Sequence, residues 1–380
     1  MKVLMITKSI YESDARVRRE AETLTGMGHS LQVIAVDEDS QNIDAIDVIG
    51  LGEVSGLRGS RATTRSWLYR PVRWFLLPEH RARAIRQFQR SVMDAAGDLE
   101  TAPNIIHAHD FPALEPAVEL ADRFDAKLIY DTHEIWTGMQ RHGRPEPIGR
   151  ARTKSLETTL ARKAQAVITV SEGAAKFLGE RWGLPVSVVR NTFPTHADLG
   201  PPEHPSGVVY AGRVGSGRDL ETAFESSILT ESPGFGLHLM GPADNSVVVP
   251  STVVSHPSGS LEEVDRLLAK VGIALVTLID GPVNHRVALP NKLFQAVSVG
   301  VPVVAANLPE MRSLVDQHGI GVTYTPRDPT SMAEAIGRVR DDYPTYVANV
   351  RAAQSALSWD VDSSRLSDIY ESIDGGPPPG

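Results

Sequence analysis

Val283 to Val315 reads VNHRVALPNKLFQAVSVGVPVVAANLPEMRSLV. Leu289-Pro290-Asn291 opens a helix that runs to about Val299 and stops at Gly300, and Pro302 leads into the strand VPVVAAN. A helix that begins beyond a strand edge presents unpaired N–H groups and the positive end of its dipole, a place suited to a diphosphate. Taken alone, the stretch reads equally as an ordinary loop–helix–strand unit.

The same alternation extends in both directions. Short runs rich in Val, Ile or Leu predict strands at Lys2–Thr7, Leu31–Val36, Asn104–His109, Lys127–Asp131, Ala166–Ser171 and Val186–Asn191. A second set lies at Val208–Gly212, Leu237–Gly241, Val253–His256, Ile273–Ile279, Val301–Ala306 and Gly321–Tyr324. Helical stretches such as Asp14–Gly26 separate them. Near-continuous apolar strands alternating with helices predict parallel sheets covered on both faces. A proline-rich stretch from Asn191 to Gly207, with Pro194, Pro201, Pro202 and Pro205, divides the two sets and reads as a linker. The expected architecture is α/β: two doubly wound, Rossmann-like domains, 1–195 and 206–357, and a closing helix over 358–374. Ligands of such sheets bind beyond the carboxyl ends of the strands, so two facing domains would offer a cleft for two substrates.

Composition narrows the chemistry. The 380 residues contain no cysteine, which excludes disulfides, thiolate catalysis and Cys-based zinc sites. The net charge of −9 argues against general nucleic-acid binding. No run approaches the length needed to span a bilayer, and MKVLMITKS reads as a strand rather than a secretory signal; a cytoplasmic protein is expected. One segment departs from the acidic average: between Arg58 and Arg90 stand nine arginines and a single acid, Glu79, interleaved with Trp67, Tyr69, Trp74 and Phe75. Such a segment suits docking on an anionic membrane surface, or is a core-packed helix with a basic outer face.

Several motifs occur in collinear order. LPNKLFQAVSVGVPVVA resembles the donor-binding signature of the retaining GT-B glycosyltransferases of the GT4 group. IIHAHD (105–110), LIYDTHE (128–134), VITVSEGAAKFL (167–178), VRNTF (189–193), VVYAGRVGSGRDLETA (208–223) and SWDVDSSRLSDIYESI (358–373) resemble other segments of that family. The resemblance covers essentially the whole chain. It implies transfer of a hexose from a nucleotide-diphosphate donor, UDP favoured over GDP, to a glycan, lipid-linked or small-molecule acceptor, with retention at the anomeric carbon, no tightly bound cofactor and no protein-bound metal.

The resemblance also implies roles residue by residue. Arg213 and Arg218, five apart around a glycine-rich turn, would bond one diphosphate, as guanidinium forks do; the alternative is two solvated arginines. Gly241, Pro290, Asn291, Lys292 and Leu293 would complete the donor site. Gln295 stands where the family usually has a glutamate that binds ribose, and Val287 stands eight residues before it in place of the paired glutamate. Asn284 and His285 are stand-ins for the missing sugar contacts. His133 would hydrogen-bond a donor hydroxyl or the leaving-group oxygen, oriented by Asp131 or Glu134. On the acceptor side the expected residues are Asp14, Arg16, His109 and Asp110, with Arg16 near a helix start either binding an anionic acceptor or simply solvated. His107 and His109 alternate on one strand face. Two other readings remain beside transfer: a catalytically weak GT-B nucleotide-binding partner of an active transferase, motivated by Gln295 and Val287, and a nucleotide-sugar epimerase, which needs placed carboxylates.

Overall fold

The computed structural model describes residues 1–52, 70–138, 147–215, 217–230, 234–244 and 247–375. Of the basic and aromatic stretch 58–90, residues 58–69 and the side chains of 70–81 lie outside the described residues. The chain divides into two compact units. One holds 1–170, 174–189 and the chain from Arg365; the other holds Ser171–Gly173 and Arg190–Ser364.

Up to Val189 the strands are β1 (Lys2–Ile6), β2 (Ser30–Ala35), β3 (Gln41–Ile43), β4 (Ile46–Gly50), β5 (Ile105–His109), β6 (Lys127–Thr132), β7 (Ala166–Thr169) and β8 (Ser187–Val188). The helices are α1 (Ala15–Gly26), α2 (Arg70–Ala95), α3 (Asp110–Phe124), α4 (Pro147–Ala161) and α5 (Glu172–Trp182). The eight strands form one sheet in the order β3-β4-β2-β1-β5-β6-β7-β8, parallel except for the β3–β4 pair. The order reverses between β1 and β5, where the chain first winds outward through β2 and then returns to the other side. The β3–β4 hairpin was not expected. Asp44 and Ala45 both take positive φ, 50° and 67°, the geometry of a tight hairpin turn that Asn-Gly or Asp-Gly normally marks.

From Arg190 onward come β9 (Gly207–Ala211), β10 (Gly236–Met240), β11 (Val254–His256), β12 (Gly272–Val276), β13 (Val303–Ala306) and β14 (Gly321–Tyr324). The helices are α6 (Leu220–Leu229), α7 (Leu261–Val271), α8 (Val283–Val287), α9 (Asn291–Val299), α10 (Pro309–His318), α11 (Pro329–Asp341), α12 (Tyr343–Ala353) and α13 (Trp359–Asp374). The six strands are all parallel, ordered β11-β10-β9-β12-β13-β14, and the reversal falls between β9 and β12. All five residues of β12 and all four of β13 are buried, as a sheet covered on both faces requires. The helix expected after Pro290 is α9, closed by Gly300 at φ 83°. The boundary between the units falls inside α13, between Ser364 and Arg365.

In the second unit the start of α13 holds the linker. Asp362, fully buried, accepts from Arg190 N and Nε and from Thr192 Oγ1 (2.8–3.2 Å). Trp359, itself buried, donates its backbone N–H to Phe193 O. Removing one partner of a buried ion pair leaves the other charge uncompensated, at a cost of about 3–5 kcal/mol. Asp362→Ala is therefore expected to lower the stability read by urea denaturation by about 3 kcal/mol, and an unchanged transition would show the contact to be incidental.

Candidate functional site

In the second unit the relevant edge lies at the β9/β12 reversal. Gly212 follows β9 and Gly241 follows β10, with φ of 133° and 143°. A Cβ on Gly241 would fall 2.2 Å from Gly212 O, and a Cβ on Gly212 would fall 2.8 Å from Lys292 Cε and 2.9 Å from its Nζ. Only glycine leaves room here, and the space is filled by the Lys292 side chain. Lys292 is the second residue of α9, and its ammonium lies 5.0 Å from the centroid of the Tyr210 ring. Burial, together with the charge of Arg218, pulls its amine down to about 8. Among the described residues neither Lys292 nor Arg218 makes an ion pair. Among the described residues no side chain caps α9, whose first residues follow Pro290 in extended conformation.

The loop carrying Arg218 is fixed from beneath. Asp219, buried at φ 56°, accepts from Thr222 Oγ1 (2.7 Å), Tyr324 Oη (2.9 Å) and Arg327 N (3.1 Å). Thr277, just past β12, donates its hydroxyl to Arg218 O. The exposed Arg218 is thus held through its own carbonyl and through its neighbour Asp219. Two cations, a tight glycine strand end and an open helix start converge, an arrangement that favours an anion.

Three of the expected donor-site side chains are engaged elsewhere in the unit. Arg213 does not join this pair: its guanidinium is forked onto Asp244, Nε–Oδ1 3.0 Å and NH2–Oδ2 3.1 Å, at the surface. Gln295 is buried, and its amide donates to Asp265 Oδ1 (2.8 Å) and Leu261 O (3.3 Å), joining α9 to α7 instead of facing a sugar. Leu293 is fully buried in the core, so only its backbone is available to a ligand. Asn284 and His285 lie on the short α8; His285 Nδ1 is 2.8 Å from Ile279 O, and burial, with Arg218 adding to it, lowers its basicity.

In the first unit the β1/β5 reversal collects charge of both signs. Asp14 caps α1, accepting from Val17 N. Arg16, two residues on, is 1% exposed, so it is neither a solvated arginine nor a free contact for an anionic acceptor. It donates Nε and NH2 to the two oxygens of Asp131 (2.8 and 3.0 Å) and NH1 to Val189 O (2.8 Å). Its Nε also lies 3.0 Å from Glu20 Oε1, but that N–H is directed at Asp131, and both Glu20 oxygens lack a hydrogen-bond donor among the described residues. Burial outweighs the attraction of Arg16 and raises Glu20 to about 7. Asp131 goes the other way: burial opposes its charge, yet Arg16 and His133 hold it well below the usual carboxylate range.

The histidines complete the cluster. His107 and His109, both buried, stack at 4.3 Å, and His107 Nδ1 meets Tyr370 Oη at 2.9 Å. His133 Nε2 lies 3.2 Å from Asp131 Oδ2, and its Nδ1 lies 3.5 Å from Asp110 Oδ2. Asp110 opens α3 at φ 63° and accepts the backbone N–H of His133 through Oδ1 at 3.0 Å. Burial disfavours the imidazolium, but Asp110 and Asp131 more than offset it and raise His133 to about 10. Ligand atoms of Glu20, His107, His109 and Asp131 lie within 4.8 Å of one another, a spacing open to a metal ion. The guanidinium of Arg16 already contacts both carboxylates and serves as their counter-ion, so a divalent cation there would meet a fixed positive charge.

Sequence reading missed Glu20, Tyr210, Asp219, Thr277 and Tyr370. Only Glu20 carried a local signal, its spacing of four from Arg16. Arg16→Met, which strips two buried carboxylates of their counter-ion, is expected to cost about 3–5 kcal/mol by urea denaturation. Glu20 has a raised folded value, so its contribution is present below the ordinary glutamate range and is lost as pH rises through about 7. Glu20→Gln should flatten the dependence of melting temperature on pH between 5 and 8; an unaltered slope would contradict the burial argument.

With this geometry in hand, comparison with known proteins assigns the family. A model described as Glycosyl transferase 4-like domain matches residues 13–192, and one described as Glycosyl transferases group 1 matches residues 207–342. Glycogen synthase of Mycobacterium tuberculosis is 24% identical, the match covering 70% of this chain and 67% of that protein. D-inositol 3-phosphate glycosyltransferase of Xylanimonas cellulosilytica is also 24% identical, over 70% of this chain and 71% of that protein. Sucrose-phosphate synthase from Thermosynechococcus elongatus has the same fold, with a TM-score of 0.72 at 16% identity over 98% of this chain and 99% of that one. So does Anabaena HepE in complex with UDP-glucose, at a TM-score of 0.67 and 14% identity over 98% and 100% of the two chains. The chain has the GT-B fold and belongs to the GT4-like, group 1 glycosyltransferases.

Proposed function

We propose that this glycosyltransferase moves a hexose from a nucleoside diphosphate donor, UDP in preference to GDP, to a glycan, lipid-linked or small-molecule acceptor, with retention at the anomeric carbon. The observation that carries the reading is the pair Lys292 and Arg218, two cations close enough for one to lower the basicity of the other, with no ion-pair partner among the described residues, and Lys292 at the start of α9. A diphosphate would relieve their repulsion, and as the sugar departs the growing charge on the phosphate would strengthen both contacts. The preference for UDP is supported by HepE, whose complexes hold UDP and UDP-glucose. In the proposed step the bond from the anomeric carbon to the diphosphate breaks while the acceptor oxygen bonds to that carbon on the same face. The acceptor's hydroxyl proton passes to the departing phosphate oxygen. No protein nucleophile is required, only positioning and charge.

The arrangement of Gln295 favours a second reading, a partner that binds nucleotide without turnover, because the residue is tied to Asp265 and offers no carboxylate to a donor sugar. Release of UDP from UDP-glucose separates the two.

A thermal-shift screen of UDP, GDP and ADP is expected to select UDP, since a ligand of the folded state raises its melting temperature. Lys292→Ala and Arg218→Ala should each weaken UDP about tenfold or more, the loss of a charge-assisted contact. Arg213→Ala should change it by less than about threefold, its charge being spent on Asp244. Equal effects at all three positions would contradict the site as drawn. Residues 58–90 support docking on anionic lipid, and co-sedimentation with phosphatidylserine vesicles at low salt should then succeed; failure to bind removes that part of the reading.

A further inference from the structure

We propose that Arg16 is a positioning residue for His133, acting through Asp131 to hold the imidazole in one orientation with a proton on each ring nitrogen. The inference rests on the reading that His133 serves the donor sugar or its leaving group. It goes further by fixing the form in which His133 serves: a cationic donor and not a base.

The geometry runs in one direction. Arg16 spends three donors in a buried, rigid fork, two on Asp131 and one on Val189 O. Asp131 cannot turn without breaking that fork, so its Oδ2 stays 3.2 Å from His133 Nε2 and keeps a proton on that nitrogen. On the other side, Asp110 is pinned by the backbone N–H of His133, which leaves its Oδ2 facing Nδ1. A carboxylate opposite each nitrogen favours the doubly protonated ring. The two contacts differ in strength. Nδ1 and Asp110 are 3.5 Å apart, longer than a good hydrogen bond, and Asp110 is partly exposed whereas Asp131 is fully buried. A ligand oxygen can therefore compete for the Nδ1 proton but not for the Nε2 proton. The groups acting on His133 come from four elements. The start of α1 brings Asp14, Arg16 and Glu20, and β5 brings His107 and His109. Asp110 stands at the head of α3 and Asp131 on β6. The carboxylates favour the cation; Arg16 and His107 oppose it.

The test uses the full chain labelled with 15N-histidine, with the His133 signal assigned from His133→Gln. Both ring nitrogens should remain protonated from pH 6 to 8.5. A neutral ring at pH 8 would overturn the proposal whether or not the protein transfers sugar. Release of UDP from UDP-glucose then reads the coupling. Arg16→Lys should lower kcat about tenfold with KM within about twofold, and should cause little further loss in the His133→Gln background. Fully additive losses would overturn the link between the two residues. Wild-type turnover by His133→Gln would remove the underlying reading, leaving the resonance result to decide the charge state. Should Arg16→Lys fail to fold, Asp110→Asn serves instead: it should bring the His133 titration downward and add to UDP release a second pH dependence that follows that titration. An unmoved titration would count against the clamp.

Discussion

Two positive charges that act on each other, with no carboxylate partner among the described residues, repel each other, and the second unit is built to maintain that repulsion. Lys292 lies over the α-carbon of Gly212, and any side chain there would displace it. Arg218 stands on a loop fastened by Asp219 and Thr277. Burial lowers the basicity of Lys292, and the charge of Arg218 lowers it further. Folded proteins rarely keep such an arrangement unless a ligand relieves it. The doubly wound sheet supplies the setting, because β9 and β12 run in parallel and their connections leave in opposite directions, opening the carboxyl edge.

The first unit uses charge differently. Around its own reversal the cations are balanced internally, Arg16 by Asp131 and His133 by Asp131 and Asp110. Such a network fixes orientation more than it adds stability. The remaining cost falls on Glu20, a buried carboxylate without a donor among the described residues, which burial raises to about 7. One unit thus presents unbalanced charge to an anion, and the other presents a balanced set with a single N–H loosely held.

The fold was largely legible because apolar runs and their spacing are local properties. The strands of both sheets follow Val-, Ile- and Leu-rich stretches, and α9 begins at Asn291 and ends at Val299 as Pro290 and Gly300 dictate. The β3–β4 hairpin escaped because its turn uses Asp44-Ala45, residues without the usual glycine signal. Site residues were less legible because their roles depend on partners distant in sequence. Arg16 meets Asp131 across 115 positions, Gln295 meets Asp265 across 30, and Arg213 meets Asp244 across 31. Motif resemblance locates such residues on an edge, but it does not say which side chain is already committed.

The most direct measurement is the proton balance of UDP binding, by calorimetry at pH 8.5 in buffers of different ionisation enthalpy. At that pH Lys292, with its amine near 8, is mostly neutral, and a bound diphosphate should restore its charge. Uptake of about half a proton or more per UDP is expected for the wild type, vanishing in Lys292→Met. Binding without proton uptake in the wild type would contradict the claim that Lys292 and Arg218 form the diphosphate site.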